Sequence, residues 1–386
     1  MALFGTMLIS HIRLKNWRNF RSLDIPLSET TYVLGPNASG KSNLLDAFRF
    51  LRDVSKSKGG GLQTAVADRG GLSKLRCHHA RRDPEVFIEV TVTDDSDEWR
   101  YLLAFKPEGK GARRIVVAKE EVWKGNELLL KRPNVQDKAD PVQLTQTHLE
   151  QIRANGKFRA LADFFGSFTY LHLVPQLLKF ADKLGGQRLE DDPFGQGFLE
   201  HIARTPEKTR NARLRKIERA LALAVPQFKQ LKFEKDALGH PHLKALYTHH
   251  RPNAGWQSEE HFSDGTLRLL GFLWSLLAGE SVLLLEEPEI SLNDAIVKEI
   301  PLILKRAQSG KKAKRQILVS THSAALLSNE GIDGRGVVIL ESGSDGSTAR
   351  VANSDERIAL SAGLSVAEVL LPKTRPASVE QLGLSL

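Results

Sequence analysis

Two short stretches carry residue types that do chemistry only in company. Residues 283–292 read LLLEEPEISL: an apolar run at 282–285 has the make-up of a buried strand and leads straight into Glu286, Glu287 and, past Pro288, Glu289. Carboxylates so close raise one another's pKa and cost free energy unless a cation or a polar ligand lies among them. Residues 35–42 read GPNASGKS, which fits G-x-x-x-x-G-K-[ST] and stands where that pattern requires, after the apolar run TYVLG and at the start of a helix. Glycines let such a backbone curl so that its N–H groups turn inward on a phosphate, and the helix N-terminus adds partial positive charge. Gly35, Pro36, Asn37, Ala38, Ser39, Gly40, Lys41, Ser42 and Asn43 are the expected nucleotide-binding residues. Lys41 is expected to reach the β- and γ-phosphates, and the Ser42 hydroxyl to bind Mg²⁺.

The loop accounts for the acids. A Mg²⁺ held on one side by Ser42 and nucleotide oxygens needs a carboxylate on the other, and the usual source is the end of a neighbouring apolar strand. Glu286 is the expected metal-side acid, where many such sites have Asp. Glu287, one residue on, is expected on the other face of the strand end, where it polarises or orients the attacking water. Glu289 is assigned a structural or subunit-contact role. STHS, residues 320–323, ends the next apolar strand, QILV, so His322 is expected on an adjacent strand near the acid pair, within reach of a γ-phosphate or the water. FSDGTLRLLG, residues 262–271, sets Ser263, Asp264, Gly265 and Thr266 at the start of an apolar helix, a second anion-binding helix N-terminus. One chain with one evident P-loop then implies a second nucleotide, supplied by another subunit.

The elements that must position these residues alternate. Residues 8–14 and 21–27 read as antiparallel strands joined by the polar segment KNWRNF, with Trp17 and Phe20 assigned to the core rather than to base stacking beside Arg18. After the strand, loop and helix around the P-loop, residues 54–84 turn Gly-, Lys- and Arg-rich and read as irregular. Residues 85–132 have the spacing of a β meander. Helical patterns follow at 144–166 and 195–225, with a strand at 168–174 between them, and QLKFEKD with LKALYTH forms a hairpin. From residue 267 onward helices and strands alternate, the mark of parallel strands covered by helices. Three segments result: 1–143, an N-terminal lobe with the P-loop and the meander; 144–262, a helical insertion with the hairpin; and 263–386, a C-terminal lobe with the acids and His322. The basic run at 305–316 reads as a solvated loop. His78, His79, His249 and His250 read as solvated or core histidines, because the single cysteine and the lack of carboxylates at ligand spacing speak against a metal cluster.

Composition is consistent with this. The chain has 386 residues, and Lys plus Arg exceed Asp plus Glu by 55 − 46 = 9, which suits polyanionic partners without naming one. One cysteine, Cys77, forms no internal disulfide, and no apolar run nears the roughly 20 residues of a membrane span, so a cytoplasmic protein is expected.

The set GPNASGKS, SDGT, LLLEEPE and STHS, in that order, resembles the ABC-type ATPase heads of the SMC, RecF and overcoming-lysogenization-defect (OLD) group, often described as AAA-family ATPases. The resemblance covers residues 8 to about 341. It implies an α/β P-loop NTPase fold of the ABC-ATPase type, with a mixed sheet, an antiparallel β subdomain and a helical insertion, and two heads that bind two ATP molecules head to tail. It also implies that residues 263–266 are the signature touching the partner's γ-phosphate, Glu287 the catalytic glutamate and His322 the switch histidine. The family's Q-loop glutamine, which joins the Mg²⁺ shell, is matched by Gln176, with Gln63 its rival. The long coiled coil of SMC proteins is not visible, and the stretch after Glu341 is too short for the metal-binding TOPRIM domain of OLD nucleases. The resemblance thus implies an ATPase head acting as a homodimer or larger assembly, with a separate effector or nuclease subunit, and DNA or RNA, as candidate partners. Similar genes are associated with anti-phage defence. A transporter ATPase ranks last, since SDGT and EEPE differ from the LSGGQ and Asp–Glu of that class.

Overall fold

The structure is a computed structural model that describes residues 7–374 apart from 57, 81–82, 96, 110–113, 181–194, 196, 249–254, 280 and 310–314. His249, His250 and the middle of the basic run at 305–316 lie outside the described residues.

The first alternating stretches form β1 (Leu8–Trp17) and β2 (Phe20–Pro26), an antiparallel pair. The turn is tighter than KNWRNF suggests: Trp17 pairs with Phe20, which leaves only Arg18 and Asn19 in the loop. Trp17 and Phe20 are fully buried. β3 (Thr30–Leu34) then feeds residues 35–40 and α1 (Lys41–Ser55), whose Leu44, Leu45, Phe48 and Leu51 fall at helical spacing and are buried. Residues 54–84 are not irregular throughout. They hold α2 (Leu62–Ala67) and α3 (Leu72–Leu75), each preceded by a glycine of positive φ, Gly61 at 95° and Gly71 at 89°. These glycines turn the chain into short helices anchored by buried Leu62, Val66 and Leu75. The meander is as expected: β4 (Val86–Thr93), β5 (Glu98–Pro107), β6 (Ile115–Lys124) and β7 (Glu127–Arg132), in a sheet ordered β2-β1-β4-β5-β6-β7.

After α4 (Val135–Ala139), the helix expected over 144–166 is confined to α5 (Arg159–Gly166) behind a 3-10 segment, Ala154–Phe158. Upstream, Glu150 accepts from the Thr147 N–H and Asn155 donates to the Leu149 carbonyl, local bonds that compete with a helical ladder. The strand expected at 168–174 shortens to β8 (Thr169–Leu171), since Pro175 starts α6 (Pro175–Lys179). Then come α7 (Phe198–Arg204), α8 (Glu207–Ala224), β9 (Phe228–Lys235), β10 (Pro241–Tyr247), β11 (Trp256–Ser258) and α9 (Asp264–Leu277). β12 (Leu283–Glu286), α10 (Asp294–Ser309), β13 (Ile317–Thr321), α11 (Ala324–Leu327), β14 (Val337–Gly343), β15 (Gly346–Val351), α12 (Ser354–Ser361) and α13 (Val366–Val369) complete the chain. A second six-stranded sheet is ordered β15-β14-β3-β13-β12-β8, with β3 between parallel neighbours β13 and β14, and β9–β11 form a small antiparallel sheet.

Contacts divide the chain into two units: Met1–Thr169, Glu280–Leu284 and Lys311–Leu386 in the first, Tyr170–Gly279 and Leu285–Gly310 in the second. These boundaries fall elsewhere than 143 and 262. In the first unit Phe50 of α1 lies between Trp17 and Phe105, with ring centroids at 5.3 and 5.2 Å, so the P-loop helix is seated on the meander. In the second, α8 buries Leu214, Ile217 and Leu221, one stripe at helical spacing, and Trp274 of α9 meets Phe198 edge-on. No helix among the described residues is long and apolar enough to cross a membrane.

Candidate nucleotide-binding site

The P-loop grows out of β3, whose Tyr32, Val33 and Leu34 are buried. Two of its glycines answer to sterics. A Cβ on Gly35 would stand 2.4 Å from the Ser39 Oγ and 2.9 Å from the Leu340 carbonyl, and one on Gly40, whose φ is +100°, would stand 2.2 Å from the Asn19 Nδ2. Ala38 also takes a positive φ, 64°, which is uncommon for a residue with a side chain. Lys41, 7% exposed, donates its ammonium to the Gly35 carbonyl at 2.8 Å and the Pro36 carbonyl at 3.2 Å, so its charge stands over the loop's own backbone. Ser42 and Asn43 follow in the first turn of α1, and Asn43 is bonded to the β1–β2 loop through Asn19.

His322 belongs to the same unit. β13 runs parallel to β3 with Ser320 opposite Val33 and Thr321 opposite Leu34, so His322 and Gly35 both begin just past the ends of neighbouring strands. The structure thus brings the P-loop and His322 to the same end of two neighbouring interior strands, and His322 is exposed there. Ser323 caps α11 by accepting from the Leu326 N–H, and Thr321 accepts from the Ser323 N–H, which turns the backbone sharply around His322.

The residues present suit a nucleotide. Neighbouring protein atoms keep Gly35 and Gly40 free of side chains, which leaves the loop backbone bare, and among the described residues the buried hydroxyls of Ser39 and Ser320 have no hydrogen-bond partner.

The second unit holds the acids and the signature stretch. β12 ends at Glu286, whose carboxylate accepts from the Tyr170 hydroxyl. Glu287 is not on the strand's other face: the strand has ended, and its φ is +42°, left-handed backbone that begins a turn closed by the Ile290 N–H on the Glu287 carbonyl. Pro288 cannot donate to a strand ladder, which is consistent with the break there. Glu289 is 8% exposed. Sequence reasoning sought a cation for these acids and overlooked one on the protein: Arg268, in α9. Burial pushes its pKa down, while Asp264, Glu287 and Glu289 pull it back up, so all three carboxylates lie within electrostatic reach of one guanidinium. Its position four residues after Asp264 in a helix was the available signal.

Ser263 is the N-cap of α9, accepting from the Thr266 N–H at 3.1 Å and meeting its hydroxyl at 2.8 Å. Gly265 has no room for a side chain, because a Cβ would lie 2.6 Å from the Ser291 carbonyl. Ser291 itself has φ 64°, so the turn after the acids packs directly under the signature stretch. Asp264 accepts from Lys179 at 2.7 Å and from the Gln176 Nε2 at 2.7 Å, and the Lys179 bond above all holds its pKa below the usual carboxylate range. Gln176 therefore joins α6 to the signature within the second unit. Gln63 is committed elsewhere: its amide donates to the Ile115 and Thr145 carbonyls at 2.8 and 2.7 Å and its oxygen accepts from the Ile115 N–H. His78 and His79 are exposed, and no group of three or more His, Cys, Asp or Glu among the described residues has the geometry to hold a metal.

A P-loop following β3 of a mixed six-stranded sheet, together with an antiparallel meander, is the fold of an SMC-type ATPase head. More narrowly, the chain belongs to the family described as "AAA domain, putative AbiEii toxin, Type IV TA system", which matches residues 31–328; the P-loop containing region of AAA domains matches 9–52. It is 32% identical over 100 residues to the DNA replication and repair protein RecF of Roseiflexus castenholzii, covering 24% of this chain and 25% of that protein. It is 37% identical over 105 residues to the chromosome partition protein Smc of Synechococcus, 27% of this chain and 8% of that one. The chain thus matches a quarter or less of the length of these two relatives. An SMC head solved with the C-winged helix domain of ScpA superposes with a TM-score of 0.54 at 16% identity, covering 90% of this chain and 99% of that one. The Pyrococcus furiosus SMC head, solved with the C-terminal domain of ScpA, gives 0.51 at 15% identity, with 92% and 99% covered. At such identities the likeness speaks for the fold.

Proposed function

We propose that this protein binds and hydrolyses ATP and works as a nucleotide-driven switch, two copies closing head to tail on two ATP molecules and reopening after hydrolysis. The observation that carries this reading is the P-loop itself: two glycines that tolerate no side chain, a buried lysine that stands over the loop's own carbonyls, and a buried Ser39 hydroxyl with no hydrogen-bond partner among the described residues. Lys41 and residues 35–43 hold the phosphates, and Ser42 is the P-loop side chain that would hold Mg²⁺, which would neutralise charge on the β- and γ-phosphates. Glu287 orients the attacking water, and His322 hydrogen-bonds the γ-phosphate or that water. Ser263, Asp264, Gly265 and Thr266 present the N-terminus of α9 to the nucleotide of the second copy.

What the switch gates is a separate effector protein or a nucleic acid, with anti-phage defence as a candidate setting; the family's description names a putative toxin of a type IV TA system. Two substitutions test the reading. Lys41→Ala is expected to lose ATP binding; unchanged affinity rejects the P-loop assignment. Glu287→Gln is expected to bind ATP, hydrolyse it at least about a hundredfold more slowly and accumulate as a dimer, so a monomer under saturating ATP counts against the two-head arrangement.

A second reading, direct nucleic-acid binding of the RecF kind, has its own observation. On α8, Arg204 just before it and Lys208, Arg215, Lys216 and Arg219 along it are exposed, while Glu218 is turned to the Leu231 N–H. Affinity for duplex DNA that falls steeply with salt favours this reading, since each neutralised phosphate adds about −0.9 to the slope of log K against log salt.

A further inference from the structure

We propose that Asn19, in the two-residue loop between β1 and β2, is a positioning residue for the phosphate-binding loop, holding the Ser39–Gly40 peptide so that the Gly40 N–H is presented to the nucleotide. The inference rests on the reading of residues 35–42 as a nucleotide site.

Every polar atom of the Asn19 carboxamide is spoken for. Its Nδ2 donates to the Ser39 carbonyl at 2.8 Å and to the Ser347 Oγ at 2.6 Å, and its Oδ1 accepts from the Asn43 Nδ2 at 2.9 Å. Its main-chain carbonyl also accepts from the Ser347 N–H at 2.8 Å. One side chain therefore ties together the P-loop, the first turn of α1 and the β14–β15 hairpin. The loop that carries it is itself fixed. The Trp17 indole donates to the Asn43 carbonyl at 2.8 Å, and the Arg18 guanidinium donates to the buried Asp46 of α1 at 2.8 Å.

The consequence follows from the planar trans peptide, in which C=O and N–H point in opposite directions. Because Asn19 takes the Ser39 carbonyl on one side, the Gly40 N–H is aimed away from Asn19, and no acceptor among the described residues takes it. Left to itself, a peptide between a serine and a glycine of φ +100° rotates readily, and a flipped plane would turn a carbonyl dipole toward an incoming phosphate. Asn19 also occupies the space a Cβ on residue 40 would need, so the glycine and the asparagine are two halves of one device.

The test uses the full chain with ATP as the probe. Asn19→Ala removes the carboxamide. Asn19→Asp keeps its size and its acceptor for Asn43 but sets an oxygen against the Ser39 carbonyl. Both are expected to raise the Kd for ATP at least tenfold, and to speed amide hydrogen exchange in a peptide spanning 36–43 while exchange in β4–β7 and the ligand-free melting midpoint stay near wild type. ATP affinity equal to wild type in both variants overturns the inference while leaving the P-loop reading intact. Loss of protection throughout the first unit also overturns it, since Asn19 would then serve general folding. If the wild-type chain binds no ATP, the nucleotide reading fails on its own. Exchange at 36–43 then still decides whether Asn19 orders the loop, and unchanged exchange there rejects it.

Discussion

Residues 35–43 and residues 263–266 both read from the sequence as anion sites, yet they are held in place by different physics. Around the P-loop the restraints are buried or half-buried: Asn19 on the Ser39 carbonyl and Lys41 on two carbonyls reach backbone, and Arg18 and Arg69 hold the carboxylate of Asp46, which is 7% exposed. Around residues 263–266 the restraints are side chains near water: Lys179 and Gln176 on Asp264, whose side chain is 36% exposed, with a single tight backbone approach of Gly265 to Ser291. Buried charge pairs are poorly screened by salt and costly to break, whereas exposed pairs are weak and screened. In the switch proposed above, the loop would hold its shape before nucleotide arrives and residues 263–266 would meet and leave a second copy, which this contrast would suit.

The largest effect expected from this contrast is at Asp46. Burial pushes its pKa up, but Arg69 and Arg18 together hold it below the usual range, so the carboxylate stays charged in the fold. Asp46→Ala strips Arg18 of that carboxylate and Arg69 of one of its two, and is expected to cost about 3–5 kcal/mol in denaturant unfolding, with little dependence on salt. A loss below 1 kcal/mol would erase the distinction between the two regions. Gly265→Ala comes next. In an ordinary helix it would gain about 1 kcal/mol, but here the new methyl meets a backbone oxygen, so a net loss of about 1–3 kcal/mol is expected, together with loss of ATP-dependent dimerisation at unchanged ATP affinity. A stabilised variant would show that the turn at Ser291 yields. Smallest is Lys179→Ala, at most about 1 kcal/mol and vanishing in high salt. Because the Asp264 pKa is depressed in the fold, its contribution is present above the ordinary carboxylate pKa of about 3.9 and fades as pH falls below it. A loss at Lys179 that is equal at pH 7 and pH 3 would sharpen the comparison by excluding the ion pair as its cause.

How far the sequence could be read depends on whether a residue's partner was local. The strand, loop and helix around GPNASGKS, the apolar strand ahead of Glu286 and the helix start after Ser263 are local patterns, in which spacing along the chain sets geometry, and the structure has these elements, the strand one residue later than read, at 283–286. The antiparallel meander was legible for the same reason, since hairpin turns leave a period in the chain. Glu287 was misplaced because strand alternation was carried one residue too far, past the point where Pro288 ends the ladder. Arg268 was one helical turn from Asp264 and could have been found. The Asn19 contact to Ser347 spans 328 positions, and no spacing rule reaches that far.

The sequence by itself pointed to the class of chemistry: a loop of the phosphate-cradling pattern, a strand that leads into carboxylates, and a helix that begins at a serine and a glycine. These follow from short-range sterics and hydrogen bonding, which depend on neighbours in the chain. Only the tertiary structure decided which side chains hold those parts in working shape, Asn19 for one region and Lys179 with Gln176 for the other. The physical reason is that such contacts join residues far apart in the chain, so they exist only after sheets and helices have packed, and many side chains of the same type would have served equally well until packing selected one.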